Sequence, residues 1–230
     1  MVGMVARLPS FGARQNAAAS YNFRMTLTLR LYTDFVCPFC FIAEQSTVPE
    51  LLRSFDLRLD WRGFELHPST PRGGVPLSTL FPGVDLVRMH DQTRKFAARF
   101  GVTDFNPPDR IQNSRRALAM AEYARDSGHL EAFRAAAFED HWRRGKDLEA
   151  IGDLRELAVR TGLDAEAAVA SVDDPLYLDR VDEKQAEARR QGITGIPTFV
   201  LGHERVIGCQ PFDVLAAAAR RAGAEPRIVA

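Results

Sequence analysis

Cys37-Pro38-Phe39-Cys40 follows an apolar, β-rich run, Leu27 to Phe35, and precedes a segment with a helical pattern, Phe41 to Ser54. A strand that turns into a helix at such a pair places the first sulfur over the free N–H groups of the helix, where the helix dipole stabilises a thiolate. That thiolate can attack a disulfide, and the second cysteine, one turn further along, can close a ring and release the partner. The tetrapeptide therefore predicts thiol–disulfide exchange.

The composition predicts a soluble, globular protein. The 230 residues are 46% hydrophobic, which suffices for one large core or for a main domain with an inserted lobe. Basic and acidic residues balance at 30 each, which argues against a nucleic-acid partner. No apolar run reaches the length of a membrane span, and residues 1–24 lack the apolar run of a secretory signal. We therefore expect a cytoplasmic protein without a membrane partner.

The cysteine count agrees with that compartment. Three cysteines are too few for the disulfide framework of a secreted protein. A zinc site needs about four ligands, and Cys209 and five scattered histidines provide no second cluster, so no metal is predicted.

Met25 directly precedes the first strand pattern, so we expect residues 1–24 to be a disordered extension or the product of an upstream start codon.

Two strand patterns enclose the tetrapeptide and its helix. Thr26 to Tyr32 alternates with period two, and Leu57 to Phe64 alternates again. A strand–helix–strand unit implies parallel pairing with a right-handed crossover. The segment Glu65-Leu-His-Pro68 then ends the second strand at the same edge of the sheet as the cysteines, where open α/β sheets bind ligands.

Helices dominate the middle of the chain. Residues 69–84 are rich in Pro and Gly and are predicted to be irregular, and Asp85 to Ser171 has a helical pattern with no strand. A further helix precedes a hairpin that begins at Thr198, and a last helix follows Pro211. The predicted fold class is α/β, with residues 25–84 and 173–230 forming one discontinuous domain and residues 85–172 an all-α insertion.

This order of elements resembles the DsbA-like branch of the thioredoxin superfamily. Asp34-x-x-Cys37-Pro38-Phe39-Cys40, Phe64-Glu65-Leu66-His67-Pro68 and Gly208-x-Gln210-Pro211 are similar to motifs of its cytoplasmic, FrnE-type members, and the similarity runs from about Met25 to Ala222. The resemblance implies a thioredoxin fold with a large all-α insertion. A related branch of kappa-type glutathione transferases and hydroxychromene-carboxylate isomerases carries serine in place of Cys37, so the presence of both cysteines favours redox chemistry.

The resemblance also implies roles for residues. Cys37 would be the nucleophile and Cys40 the resolving cysteine, and Pro38 and Phe39 would contact substrate between them. Pro197 would follow a cis peptide bond beside the sulfurs, and the backbone of Ile196 would pair with an extended substrate chain.

Four accessory positions stay open. Asp34 is either a strand-end carboxylate or a proton acceptor for Cys40. His67, like Glu65, is either a solvated strand end or part of a polar wall of the cleft. Cys209, which the hairpin should return to Cys37 together with Gln210, is either a small buried residue or a third reactive thiol. The four remaining histidines are expected at the surface or at helix ends: His90, His129, His141 and His203.

Three functions agree with these residues. The first is a dithiol–disulfide oxidoreductase acting on protein or small-molecule disulfides, with no cofactor beyond its cysteines and with glutathione as an optional co-substrate. The second is a glutathione-dependent transferase or isomerase of a small aromatic or polyketide-like compound. The third is a non-enzymatic, redox-sensing binding module. Each is compatible with a monomer or a homodimer.

Overall fold

The computed structural model describes residues 26–227, which form one four-stranded sheet, one two-stranded sheet and ten helices. The strands are β1 (Leu27–Thr33), β2 (Leu57–Gly63), β3 (Val75–Pro76), β4 (Arg110–Ile111), β5 (Thr198–Leu201) and β6 (Glu204–Ile207). The helices are α1 (Pro38–Gln45), α2 (Thr47–Ser54), α3 (Leu77–Leu80), α4 (Leu86–Ala98), α5 (Arg115–Asp126), α6 (Leu130–Trp142), α7 (Ile151–Arg160), α8 (Ala165–Ser171), α9 (Pro175–Arg190) and α10 (Phe212–Arg221). The predicted extension, residues 1–24, lies outside the described residues.

The main sheet has the strand order β2-β1-β5-β6. β1 and β2 are parallel, with Thr33 opposite Gly63, as the strand–helix–strand pattern predicts. β5 is antiparallel to β1, with Leu31 opposite Phe199, and β6 closes the hairpin. The carboxyl ends of β1 and β2 therefore lie at the edge where α1 begins, while β5 starts beside them.

The helix after the cysteines is broken, which corrects the prediction of one helix from Phe41 to Ser54. α1 begins already at Pro38, and Ser46 interrupts the path to α2 with φ −127° and ψ −83°. Pro49 supplies the physical reason, because a proline inside a continuous helix lacks the N–H donor and its ring clashes with the carbonyl of the preceding turn. In the broken arrangement Pro49 falls in the first turn of α2, where no such bond is required.

The predictions of an irregular connection over 69–84 and of an insertion without strands are also wrong. α3 lies inside the connection, and β3 pairs with β4, which lies inside the insertion. Two-residue strands are too short to show alternation, so periodicity could not find them. This small sheet ties the connection to the insertion near the start of α1.

The insertion and the main sheet share one hydrophobic core. The ring of Phe35, two residues after β1, lies 5.4 Å from Trp61 of β2 and 5.1 Å from Phe138 of α6, measured between ring centroids. The indole N–H of Trp142 donates a 2.7 Å hydrogen bond to the carbonyl oxygen of Phe35. None of the helices between residues 26 and 227 is long and apolar enough to cross a membrane.

Candidate active site

Cys37 occupies the N-cap of α1. Its backbone is extended, with φ −92° and ψ 117°, and its carbonyl oxygen accepts a 3.1 Å bond from Phe41 N. Pro38 stands in the first turn, where a missing N–H costs nothing. Cys37 and Cys40 are both free thiols and both buried. The sequence therefore places the two sulfurs at the amino end of a helix, as predicted.

Asp34 lies behind this turn and is fully buried. Its carboxylate accepts a 2.8 Å hydrogen bond from Leu66 N and a 3.5 Å bond from Val36 N, yet burial outweighs both and raises its pKa to about 6. Burial, followed by the neighbouring Cys37, raises the pKa of Cys40 well above its usual range, and the charge of Asp34 adds to this effect. A buried carboxyl with a pKa of about 6 thus adjoins the Cys40 thiol, whose ionisation burial makes unfavourable.

The loop before β5 faces Cys37. The Ile196–Pro197 peptide bond is cis, and the carbonyl oxygen of Ile196 lies 3.9 Å from Cys37 Sγ. The carbonyl oxygen of Pro197 accepts a 2.7 Å bond from Gly208 N, while Thr198 Oγ1 donates to the carbonyl oxygen of Gly195 at 2.6 Å. These bonds fix the loop, so that the backbone of Ile196 lies against Sγ of Cys37.

The hairpin returns Cys209 to the same place. Cys209 is buried, and burial together with the nearby Cys37 raises its pKa to about 12. Gln210 donates its side-chain N–H to the carbonyl oxygen of Ile207 at 3.1 Å, within its own hairpin. The structure brings both residues to the edge that the sequence predicts, while a chemical role for either stays a prediction.

A cavity of about 440 Å³ opens beside Cys37, between the cysteine turn and the insertion. Its wall is mostly apolar. Phe39 is partly exposed at this wall and packs edge-to-face on Phe96 of α4, at 5.3 Å between ring centroids. His67 also lines the cavity, and burial lowers its pKa. His67 thus belongs to a wall of the cleft, the second of its two interpretations, whereas Glu65 is buried and paired with Arg115 at 2.9 Å.

His90 lies in the interior of α4 and is buried, so the expectation of a position at the surface or at a helix end is wrong for it. His141 lies in the last turn of α6, at a helix end, but is buried as well. Both line the cavity, and burial lowers the pKa of His141 to about 4. His141 lies three residues after Phe138 on α6, so it shares the buried face of that helix. The spacing from Phe138 could therefore have predicted the buried position of His141. Arg110, which also lines the cavity, lies on the two-residue strand β4, and no pattern in the sequence predicts its position.

Comparison with known proteins agrees with this geometry. The family model described as a DSBA-like thioredoxin domain matches residues 28–220. The 2-hydroxychromene-2-carboxylate isomerase of Sphingobium xenophagum is 27% identical over 203 residues, which cover 83% of this chain and 97% of the isomerase.

Solved structures show the same fold. The crystal structure of a probable DsbA oxidoreductase from Streptomyces coelicolor has a TM-score of 0.76 and 28% identity, covering 86% of this chain and 90% of that one. The cytosolic disulfide reductase DsbM from Pseudomonas aeruginosa, solved with GSH, has a TM-score of 0.61 and 21% identity, covering 85% and 98%. The family thus contains disulfide oxidoreductases and an isomerase.

Proposed function

This chain belongs to the DsbA-like thioredoxin family, and from that premise we propose that it is a dithiol–disulfide oxidoreductase of the FrnE type. The observation that carries the proposal is the meeting of three features at one sheet edge. Cys37 caps α1, Cys40 lies one turn behind it, and the carbonyl oxygen of Ile196, before the cis bond to Pro197, lies 3.9 Å from Cys37 Sγ. A family member that only isomerises has no need of a resolving thiol at the position of Cys40.

The exchange runs in two balanced steps. The thiolate of Cys37 attacks one sulfur of a substrate disulfide, a Cys37–substrate bond forms, and the other substrate sulfur leaves with the electron pair. Cys40 then loses its proton to Asp34 and attacks Cys37 Sγ, which expels the second substrate thiolate. Two electrons pass to the substrate and Cys37 is joined to Cys40. During both steps the backbone of Ile196 holds an extended substrate by strand addition, and the side chains of Pro38, Phe39 and Pro197 contact it.

Variants at the two cysteines test the assignment. Pre-reduced protein is expected to reduce insulin, and Cys37→Ser is expected to abolish this activity because the attacking sulfur is gone. Cys40→Ser is expected to accumulate mixed disulfides in cell lysate, since the second step is blocked. Mass spectrometry of the trapped species separates protein substrates from glutathione. Insulin reduction by Cys37→Ser at the rate of the unmodified protein would contradict the proposal.

A second candidate is a glutathione-dependent isomerisation or transfer on a small aromatic or polyketide-like compound. The 27% identity to an isomerase over nearly its whole length favours it, as does the glutathione-bound structure of a neighbour with the same fold. This activity would require glutathione binding and would tolerate Cys40→Ser. Turnover of an aromatic substrate with glutathione that is unchanged in that variant, without insulin reduction, would favour this candidate over the first.

We place the protein in the cytoplasm. The cytosolic disulfide reductase with the same fold supports this, and so does the scarcity of cysteines in the sequence. In that compartment the partners are proteins or small molecules that carry a disulfide or thiol, with glutathione as the co-substrate that supplies electrons, and the working unit is a monomer or a homodimer. Fractionation followed by thiol trapping tests the compartment.

A further inference from the structure

The cavity beside Cys37 has the size and lining of a small-molecule site. Pockets that bind small organic ligands span about 300–1,000 Å³ and are lined mainly by apolar side chains with a few polar groups. This cavity measures about 440 Å³, and Cys37 forms part of its wall together with Trp142. A molecule bound there would lie next to the reactive sulfur.

Arg110 is the one permanently charged side chain among the described residues that line the cavity, and that lining includes no Asp or Glu. Three histidines line it as well. Burial lowers the pKa of His67 and of His141, which favours their neutral forms, and Nδ1 of His90 lies 3.6 Å from Oδ1 of Asp109, outside the lining. Arg110 donates from Nε to the carbonyl oxygen of Gly73 and has no carboxylate within salt-bridge distance among residues 26–227. The cavity therefore has an unneutralised cation at its wall.

Two of the histidines have unused hydrogen-bonding atoms. His90 Nε2 and His141 Nδ1 are buried and have no hydrogen-bond partner within the part of the chain that the structure describes. A buried polar atom without a hydrogen-bond partner is unfavourable, so such atoms point to a ligand or water that forms the missing hydrogen bond. Both atoms belong to side chains that line the cavity. An apolar molecule with one anionic, oxygen-bearing group would complement this combination.

We propose that the cavity binds small apolar thiols and disulfides that carry a carboxylate, and that these acids are a substrate class of the Cys37–Cys40 pair. Arg110 would hold the carboxylate through a charge-assisted hydrogen bond, while the apolar wall receives the carbon chain. The inference rests on the proposed function, because it requires the sulfur of the ligand to undergo thiol–disulfide exchange with Cys37.

The reaction with a dithiol acid balances as follows. Starting from protein with a Cys37–Cys40 disulfide, one ligand thiolate attacks Cys37 Sγ, and Cys40 leaves as a thiolate that takes up a proton. The second ligand thiol loses its proton and attacks the sulfur bound to Cys37, which closes a ligand disulfide and releases Cys37. The ligand loses two electrons, and the protein gains them as two thiols.

Dihydrolipoate and dihydrolipoamide provide a matched pair of probes. They share the dithiol and the carbon chain, and they differ only in a terminal carboxylate or neutral amide. We expect dihydrolipoate to reduce the oxidised protein about tenfold faster than dihydrolipoamide does, because only dihydrolipoate can form the charge-assisted hydrogen bond with Arg110. Alkylation and mass spectrometry measure the appearance of protein thiols, and the rates are normalised to those of both dithiols with hydroxyethyl disulfide in free solution.

Variants test which side chain causes the preference for dihydrolipoate over dihydrolipoamide. Arg110→Gln is expected to remove it by slowing dihydrolipoate alone. Arg94→Gln, on α4 and paired with Asp91 outside the cavity lining, is the matched control and should keep it. His67→Leu removes both ring nitrogens at a half-buried position whose side chain makes no hydrogen bond among the described residues. It is expected to reduce the preference and serves as the second test if Arg110→Gln does not fold.

The outcomes separate this inference from the proposed function. Equal normalised rates for the two dithiols, or an Arg110→Gln variant that slows both equally, would overturn the carboxylate site while insulin reduction still proceeds. Loss of insulin reduction in the unmodified protein would instead overturn the proposed function.

Discussion

Asp34 illustrates at the scale of one residue how burial adjusts chemistry. Its pKa is raised to about 6 from 3.8 in water because the carboxylate is removed from solvent, although Leu66 N and Val36 N donate to it. Between about pH 4 and pH 6 the unfolded chain therefore releases this proton before the folded chain does. The stability that Asp34 contributes is present below pH 4 and is lost as the pH rises through 6.

We expect Asp34→Asn to stabilise the protein near pH 8 by about 2–3 kcal/mol, because a pKa of about 6 in place of 3.8 corresponds to that penalty. The gain should disappear near pH 4. Urea unfolding at both pH values measures it. Asp179→Asn, at an exposed position of α9, is the matched control and should change stability at neither pH. A destabilised Asp34→Asn variant at pH 8 would contradict the interpretation.

The same substitution should slow the reaction. If Asp34 accepts the proton of Cys40, resolution of a mixed disulfide slows on the order of 100-fold in Asp34→Asn, as is typical for loss of a general base. In the unmodified protein the rate should fall as the pH drops through about 6, and in the variant this dependence should vanish. Stopped-flow measurement of the resolution step checks both effects.

At the scale of elements, the β3–β4 pair depends on one glycine. Gly74 has φ +70°, and a Cβ atom built on it would overlap the carbonyl oxygen of Ile111 in β4. Its neighbour Gly73 has φ +79°, but a Cβ there meets nothing within 4 Å. At both positions the positive φ would strain the backbone of any residue other than glycine. Only at Gly74 would a side chain also prevent the close approach of β3 and β4.

Gly73→Ala is expected to lower the free energy of unfolding by about 1 kcal/mol, because of its positive φ alone. Gly74→Ala is expected to lower it by about 2 kcal/mol more, because of the added contact with Ile111. The difference in the free energy of unfolding between the two variants is measured with urea. The Gly73 variant is the control for backbone strain, so equal losses in both would show that the contact with Ile111 is not limiting.

At the scale of the whole molecule, the insertion and the thioredoxin part are joined through the cysteine turn. Phe35 precedes the Cys37–Cys40 turn and Phe41 follows it, and the ring of Phe138 packs against both. A buried ion pair between Arg134 of α6 and Glu44 of α1 adds a second link. Because neither part can expose this surface at low cost, we expect the two parts to unfold together.

Trp61 on β2 and Trp142 on α6 report on the two parts separately. Single-tryptophan variants are expected to give coincident unfolding curves, and Phe138→Ala should lower the free energy of unfolding by about 3–5 kcal/mol while both curves shift together. Val87→Ala, at a side chain that is 72% exposed on α4, is the control and should change stability by no more than about 0.5 kcal/mol. Separate transitions at the two tryptophans would contradict the shared-core prediction.

Several features of this protein follow from the sequence alone. Alternation in β1 and β2 predicts the parallel pair, the resemblance to the DsbA-like branch is confirmed by the family match, and Cys37 and Cys40 stand at the amino end of a helix. Local sequence patterns predict these features because strand alternation, helix starts and turns depend on residues that are close together in the chain.

Only the tertiary structure decided what surrounds Cys37. The surroundings of Cys37 come from segments far apart in the chain: the buried Asp34, Arg110 on β4 at the cavity, and the inward-facing His90 and His141. Burial, and with it the pKa of Asp34 or His141, depends on which side chains exclude water, and no periodicity reports that. The sequence therefore determined that Cys37 and Cys40 stand at the amino end of a helix at a sheet edge. Packing of the insertion against that edge determined the apolar, basic cavity beside it, because a cavity is the space left between elements whose contacts are set only in three dimensions.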